Sequence, residues 1–229
     1  MALDKSKCNP ELGRKIHDHL VSLGCETPMA PTSPSTYKVR QARLETSFTK
    51  IMENMNLDLT DDSLQDTPKR VAKMYLYETC WGLDYDNFPK ITAVENKAGY
   101  HDLLVEKVSV ISLCEHHMVY FGTSHNPSEL GCWIAYIPKD KVLGLSKLNR
   151  VAEFFSRRPQ IQERLTKQIA ESLKFILETD DVAVVMKAQH FCVLTRGVED
   201  ANSYTISSHL SGEFEKPEVR AELMAIVNR

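Results

Sequence analysis

The spacing of apolar side chains divides the chain into a helical first part and a mixed second part. Apolar residues recur every three or four positions over residues 11–24 and again over 44–55, which predicts two amphipathic helices. A third helix is predicted from Thr67 and Pro68 to Trp81, because threonine suits a helix cap and proline suits the first turn. The first eighty residues are therefore predicted to be largely helical.

The segment that joins the first two predicted helices cannot itself be helical. It begins at Thr27 and reads TPMAPTSPSTY, in which three prolines break any hydrogen-bonded helix. We therefore expect residues 1–41 to form a helical arm and a Pro/Ser-rich linker outside the main core. Residues 42–229 then form the main domain, with helices over 42–82 and the core over about 91–229.

Beyond residue 90, β-branched and alternating residues become frequent, which is typical of strands. Strands are predicted over residues 91–96, 103–113, 132–138, 181–196 and 202–210. Two helices separate the third strand from the fourth, one capped by Ser146 and one opened by Pro159, and a last helix begins at Pro217. This order of elements favours an α+β fold with mainly antiparallel pairing over a parallel βαβ sheet.

Composition and charge exclude several classes of protein. Of the 229 residues, 42% are hydrophobic and 26% are charged, which is too apolar for a chain disordered throughout. The net charge of −3 excludes a global basic field for nucleic acid or anionic lipid. We expect a cytoplasmic protein, because the sequence lacks a membrane-spanning run and a signal peptide. Six irregularly spaced cysteines then indicate free thiols or metal ligands rather than a disulfide framework.

Two short clusters carry residues that can hold a metal ion. Cys114 and His117 directly follow the predicted strand 103–113, where a bend can turn both side chains toward one ion. His190 and Cys192 lie two apart in a predicted strand, so their side chains share a face about 7 Å apart. Only the tertiary structure could bring the two clusters to one metal ion. The alternative is that the cysteines are buried core thiols and that the histidines are ordinary surface groups.

A zinc ion held by Cys114, His117 and Cys192 would keep one tetrahedral position open, which is the pattern of a catalytic site. His116 and His190 are the neighbouring candidate bases.

Polar and charged residues near two predicted helix starts are candidates for binding a nucleotide. Ser146, Lys147 and Arg150 lie at one helix start, where free N–H groups attract a phosphate, and Arg196 follows Cys192. Gln162 and Glu163 lie at the start of the next helix, and the Glu163 carboxylate can accept two hydrogen bonds from a guanine edge. Ordinary solvated helix starts remain the alternative for both segments.

Several segments, in order, closely resemble GTP cyclohydrolase I of the bacterial type. They are CEHH from Cys114, AYIPKDKVLGLSKLNR, RRPQIQERLT and QHFCVLTRG, preceded by DDSLQDTPKRVAKMYLYE and GLDYDNFPKI. The resemblance covers about residues 42–229. It implies a tunnelling fold (T-fold) of antiparallel strands and paired helices, assembled around a pore as a homodecamer whose active sites lie between subunits.

The resemblance also implies a reaction and a set of site residues. GTP and water would give formate and 7,8-dihydroneopterin triphosphate, the first step of tetrahydrofolate and pterin biosynthesis. By motif, the ligands of Zn²⁺ are Cys114, His117 and Cys192, and the acid/base residues are His116 and His190. The guanine-binding positions are Gln162 and Glu163, and the triphosphate positions are Ser146, Lys147, Arg150, Arg196 and Arg70.

Two other functions are alternatives to this enzyme. A zinc nucleoside deaminase is disfavoured because its H-x-E and P-C-x-x-C signature is absent from the sequence. A regulatory protein that binds a pterin or nucleotide and holds a structural zinc stays open, and a fourth protein ligand would favour it.

Overall fold

The computed structural model describes residues 3–30, 35–124, 126 and 129–228. The helices are α1 (Pro10–Ser22), α2 (Tyr37–Asn54), α3 (Thr67–Lys73), α4 (Leu145–Ser156), α5 (Gln162–Leu177), α6 (Phe191–Leu194) and α7 (Pro217–Val227). The strands are β1 (Ala93–Glu95), β2 (Leu104–Val108), β3 (Ile111–Cys114), β4 (Tyr120–Gly122), β5 (Gly131–Tyr136), β6 (Lys141–Leu143), β7 (Pro159–Gln160), β8 (Val182–His190) and β9 (Thr205–Leu210). Residues 31–34 of the predicted linker lie outside the described residues.

The predicted helices exist, but four of their starts differ from the sequence prediction. α2 begins at Tyr37, within the predicted arm and linker, rather than at residue 42 or 44. Asp66, not Thr67, is the N-cap of α3. Gly144, not Ser146, is the N-cap of α4, and its extended backbone leaves Ser146 inside the helix. Pro159 does not open α5, because it pairs with β3 as part of β7, and α5 begins three residues later. For α5, the pairing of Pro159 with β3 rather than local propensity decides the boundary.

Antiparallel pairing dominates the sheet, as predicted. β2, β5 and β8 lie side by side, β9 covers the other edge of β8, and the short β3–β4 pair continues from the end of β8. The single predicted strand over residues 103–113 is two strands, because β2 pairs with β5 while β3 pairs with β4. Val110 lies at the break, where its carbonyl accepts from the Thr123 N–H and its own N–H donates to the Thr123 hydroxyl, each at 3.0 Å.

β8 runs through the middle of the sheet and buries both of its faces. Val184 and Met186 are fully buried in the main core, which also contains residues of α4 and α5. Ala183 and Val185 belong to a second cluster with Leu223 of α7. Successive side chains of a strand point to opposite faces, so two covered faces explain the continuous apolar run.

α1 packs in the main core rather than outside it. Ile16 and Leu20 are fully buried in the same cluster as residues of α5. The backbone approaches so closely that a Cβ added at Gly13 would lie 2.1 Å from the Tyr85 carbonyl oxygen. Since burying each such aliphatic side chain contributes roughly 1.5–3 kcal/mol, α1 is an integral part of the fold. The expectation of an arm outside the core is wrong for this helix, and the boundary at residue 42 stays a prediction.

The buried guanidinium of Arg158 binds the segment after α1 to the main core. Arg158 is fully buried, and its Nη1 lies 3.1 Å from Glu26 Oε1. Nη1 also donates to the Tyr85 hydroxyl at 3.3 Å, and Nη2 donates to the Gly82 carbonyl. A charge is tolerated in the interior only when such partners surround it. The residues that precede the predicted linker therefore belong to the core.

Among the described helices, none combines the length and the apolar character needed to cross a membrane. The six cysteines are free thiols.

Candidate metal centre and active site

A tight turn between β3 and β4 carries the first cluster of predicted site residues. The Cys114 N–H donates to the Val119 carbonyl at 2.8 Å, and the Met118 N–H donates to the Cys114 carbonyl at 2.8 Å. Met118 takes a positive φ of 55° to close the turn. Cys114 is thereby buried at the strand end, while His116 and His117 are exposed on the turn.

The second cluster lies where β8 ends and α6 begins, so the prediction that its strand continues to Arg196 is wrong. The Thr195 N–H donates to the Phe191 carbonyl at 2.9 Å, and the Thr195 hydroxyl donates to the same oxygen at 2.7 Å. These local bonds favour a helical turn over strand pairing. Cys192 therefore reaches the site from a helical turn, and the argument from a shared strand face does not apply.

The structure brings the three predicted ligands together. Cys114 Sγ lies 3.7 Å from Cys192 Sγ, and one ligand atom from each of these cysteines and from His117 lie within 4.8 Å of one another. We call these three residues the metal group. Burial and the neighbouring Cys114 thiol raise the pKa of Cys192, because two adjacent thiolates repel each other. A bound cation would remove that repulsion.

Glu115 and Arg164 form a bidentate ion pair that the sequence did not predict. Arg164 Nη1 and Nη2 both donate to the Glu115 carboxylate, at 2.8–2.9 Å. The Glu115 N–H also donates to the Gln160 carbonyl at 3.0 Å. A bidentate pair of this kind fixes direction as well as distance, so it holds the turn of the metal group against α5. The two residues are far apart in the sequence, and no local signal indicates their pairing.

The His190 ring, two residues before Cys192 in the chain, is held by two contacts. Its ring stacks on Phe121 with a centroid distance of 4.6 Å and an interplanar angle of 3°. Its Nε2 lies 2.8 Å from Gln162 Oε1. Burial lowers the pKa of His190, and the nearby Glu163 carboxylate opposes that shift. A neutral, oriented imidazole in this position can accept a proton.

Two further predicted residues, His116 and Arg196, contact the metal group. His116 Nδ1 lies 3.6 Å from Cys114 Sγ, and Arg196 Nη1 lies 2.7 Å from His117 Nε2. The structure therefore brings an imidazole and a guanidinium to the same surface.

The remaining predicted triphosphate residues have no described contact with the metal group. Ser146, Lys147 and Arg150 occupy the first half of α4, and no described hydrogen bond or ion pair joins them to the metal group. Arg70 is an exposed residue of α3 that pairs with Asp66 at 3.6 Å. Within one described subunit, Arg196 is thus the predicted triphosphate residue that contacts the metal group.

A cavity of about 1000 Å³ lies next to this site. Its wall, within the described residues, includes Phe121 and Phe191, with Lys73 and Arg157 among its polar members. The metal group is not part of that wall, and His117 is exposed. The site on a single subunit is therefore an open surface rather than a closed pocket.

The fold and the site define a class of protein: an α+β chain whose Cys–His–Cys group, flanked by two further histidines, suits a metal-assisted enzyme. Comparison with known proteins narrows that class. The model of the family described as GTP cyclohydrolase I matches residues 44–228. The chain belongs to the GTP cyclohydrolase I family, as its motifs predicted, and the prediction that it is a hydrolase is confirmed.

Curated relatives with the same name cover nearly the whole chain. A protein from Shewanella denitrificans (strain OS217), named GTP cyclohydrolase 1, is 48% identical over 92% of this chain and 94% of its own. Another of that name, from Mannheimia succiniciproducens, is 46% identical over 94% of this chain and 96% of its own.

Among solved structures, the archaeosine synthase QueF-Like in the apo form aligns with 48% of this chain and 93% of its own. The sequence identity is 17% and the TM-score is 0.39, so this similarity supports no further comparison.

Proposed function

We propose that this protein hydrolyses GTP at C8 of the purine, releasing formate and forming 7,8-dihydroneopterin triphosphate, the first step of tetrahydrofolate and pterin biosynthesis. The observation that carries the proposal is the convergence of Cys114, His117 and Cys192, with His116 against Cys114 and His190 two residues before Cys192. Membership of the GTP cyclohydrolase I family supports GTP as the substrate.

Zn²⁺ is the metal that these donors fit best. Two thiolates and an imidazole are typical zinc ligands, and Zn–S bonds of about 2.3 Å in a tetrahedron separate two sulfurs by about 3.8 Å. The 3.7 Å between Cys114 Sγ and Cys192 Sγ matches that separation. When bound, zinc acts as a Lewis acid that makes water nucleophilic near neutral pH. The group has three protein donors, which leaves room for a reactant.

The two neighbouring histidines move protons in the proposed reaction. C8 lies between two nitrogens and becomes electrophilic when N7 is protonated, so the site needs a proton donor and a base. His116 lies beside Cys114 on the exposed turn, whereas His190 is the partly buried and oriented imidazole. The exposed Glu163 carboxylate accepts the guanine N1–H and 2-amino hydrogens in this proposal.

The proposed active site forms between subunits of a T-fold homodecamer. The metal group is exposed on one subunit, and the cations Lys147, Arg150 and Arg70 are not joined to it. Ser146 and these cations would bind the triphosphate of a neighbouring subunit's site, together with that site's own Arg196. β9 lies at an edge of the described sheet and exposes 55% of Ile206, which suits pairing with a second copy. The proposed location is the cytoplasm, where thiol ligands stay reduced.

Formate release tests the reaction directly. Zinc-loaded protein incubated with GTP is expected to yield equal amounts of formate and of a pterin that becomes fluorescent after oxidation. Zinc-loaded oligomer treated with ATP is the control, because adenine lacks the hydrogen-bonding edge that Glu163 would read. A folded, zinc-replete oligomer that produces neither product from GTP would refute the proposed function.

Mixing two inactive variants tests the shared site. We expect Arg150→Ala and Cys114→Ser to be inactive alone and to regain activity when co-expressed in one oligomer. If one subunit supplies Arg150 and its neighbour supplies Cys114, random assembly makes about a quarter of the sites intact. Steady-state formate release from the purified mixed oligomer measures this fraction. Mixing Cys114→Ser with Cys192→Ser is the control, because both ligands come from one subunit and no site regains both.

A further inference from the structure

We propose that Gln162 is a positioning residue for His190, which fixes the tautomer and direction of that imidazole, and that it does not read the guanine base. The proposal rests on the proposed function for the reaction itself. It replaces the motif-based expectation that Gln162 and Glu163 bind guanine as a pair.

Burial and hydrogen bonding leave Gln162 no free polar group. Gln162 is only 1% exposed to solvent. Its Nε2 lies 3.1 Å from the carbonyl oxygens of Met186 and Thr205, and 3.0 Å from the Ser207 hydroxyl oxygen. An amide nitrogen has two hydrogens, so these acceptors use its whole donor capacity. A base bound at the surface cannot reach this amide without dismantling those bonds.

The same contacts determine which way the amide faces. Exchanging the amide oxygen and nitrogen would put an oxygen against two carbonyl oxygens, which repel it. Oε1 must therefore be the atom that lies 2.8 Å from His190 Nε2. Because Oε1 only accepts, His190 Nε2 must carry a hydrogen. In the neutral ring, the free lone pair is then on Nδ1, and that nitrogen is the one able to take a proton.

The ring plane is fixed by a second, independent contact. Phe121 of β4 lies parallel to the His190 ring, and β4 pairs with β8 so that these two residues are register partners. Gln162 is the first residue of α5, and the preceding β7 pairs Gln160 with Cys114. The residue that orients His190 therefore directly follows the strand that pairs with Cys114 of the metal group.

Replacing Gln162 by methionine should separate positioning from base recognition. Methionine fills a similar volume but has no amide oxygen, so His190 loses its tautomer partner. We expect kcat for GTP to fall about 10²-fold, the size of effect that a small misplacement of a reacting group produces. We expect the ratio of kcat/KM for GTP to that for inosine triphosphate to stay within about twofold, because the base edge is not read by this residue.

Two comparisons make the test specific. Glu163→Gln should change the ratio between the two nucleotides, since it replaces the carboxylate that accepts from the 2-amino group. Gln168→Met is the matched structural control, because Gln168 is a fully buried glutamine of the same helix whose amide donates to the Cys25 carbonyl at 2.9 Å. It should lower stability and leave kcat unchanged.

A double-mutant cycle measures the coupling itself. In a His190→Ala background, Gln162→Met should cause no further loss of kcat, because the residue that it orients is gone. If the two losses multiply instead, the positioning role is wrong. The zinc content of the Gln162→Met oligomer guards against misfolding, since the metal group is retained in this variant and should still bind its ion.

Binding measured without turnover separates this proposal from the proposed reaction. Calorimetric Kd values of zinc-free oligomer for GTP and inosine triphosphate should be the same in Gln162→Met as in the parent protein. A selective loss of GTP affinity in that variant would overturn the positioning role and restore base recognition. Absence of formate from the parent protein would refute the reaction alone, and the Kd comparison would still decide what Gln162 does.

Discussion

Cys114→Ser is expected to lose its bound zinc and, with it, the release of formate. A serine hydroxyl is a poor zinc ligand because it stays protonated near neutral pH, so His117 and Cys192 would hold the ion alone. We expect the zinc content to fall from about one ion per subunit to below about 0.1 after desalting. Elemental analysis of the purified oligomer, together with a chelator competition titration, measures the change.

The serine variant should keep its fold, which makes the zinc measurement interpretable. Cys114 is 5% exposed, and serine is nearly isosteric with it, so little cavity is created. Cys80→Ser is the matched control, because this partly buried cysteine lies 3.7 Å from the Thr79 hydroxyl and outside the metal group. It should retain full zinc and full turnover. Unchanged zinc in Cys114→Ser, with the oligomer intact, would remove this residue from the ligand set.

His190→Ala is expected to separate metal binding from turnover. The zinc content should stay close to that of the parent protein, because the ligands in the metal group are retained. We expect kcat to fall about 10²–10⁴-fold, the contribution typical of a positioned acid or base. KM for GTP should change much less, because His190 would act on the reacting atoms and not on the triphosphate. Zinc analysis and steady-state formate kinetics on the same preparation test both statements.

The control for this variant is a histidine that lies away from the site. His101 is exposed, and its Nδ1 contacts the Gly99 carbonyl at 3.1 Å, so His101→Ala should leave both zinc and kcat unchanged. A His190→Ala oligomer with normal kcat would exclude this imidazole from the chemistry. A variant that lost its zinc instead would place His190 in the ligand set.

The glutamine beside His190 shows what motif matching cannot resolve. The segment around Gln162 and Glu163 indicates a nucleotide site, and the two residues are adjacent in sequence. In the structure Glu163 is exposed, whereas Gln162 is buried and bonded to β8 and β9. Neighbouring residues at a helix start point in different directions, so a shared motif does not give them a shared role.

Local patterns predicted the elements better than their ends and their neighbours. The amphipathic spacing located α1, but not the surface that covers it, because periodicity shows that a face is apolar without showing what it packs against. Strand propensity continued through Cys192, while the Thr195 side chain favours a helical turn there. Ser146 suited a cap by residue type, yet the backbone at Gly144 provides the N-cap.

The sequence by itself determined the residue types, the α+β order and the family, because these depend on composition, periodicity and motifs that are local in the chain. Only the tertiary structure decided that Cys114 and Cys192, 78 residues apart, lie with their sulfurs 3.7 Å from each other. It also decided that α1 belongs to the core and that Gln162 faces His190. Such contacts depend on strand pairing and packing between distant segments, and no local pattern encodes them.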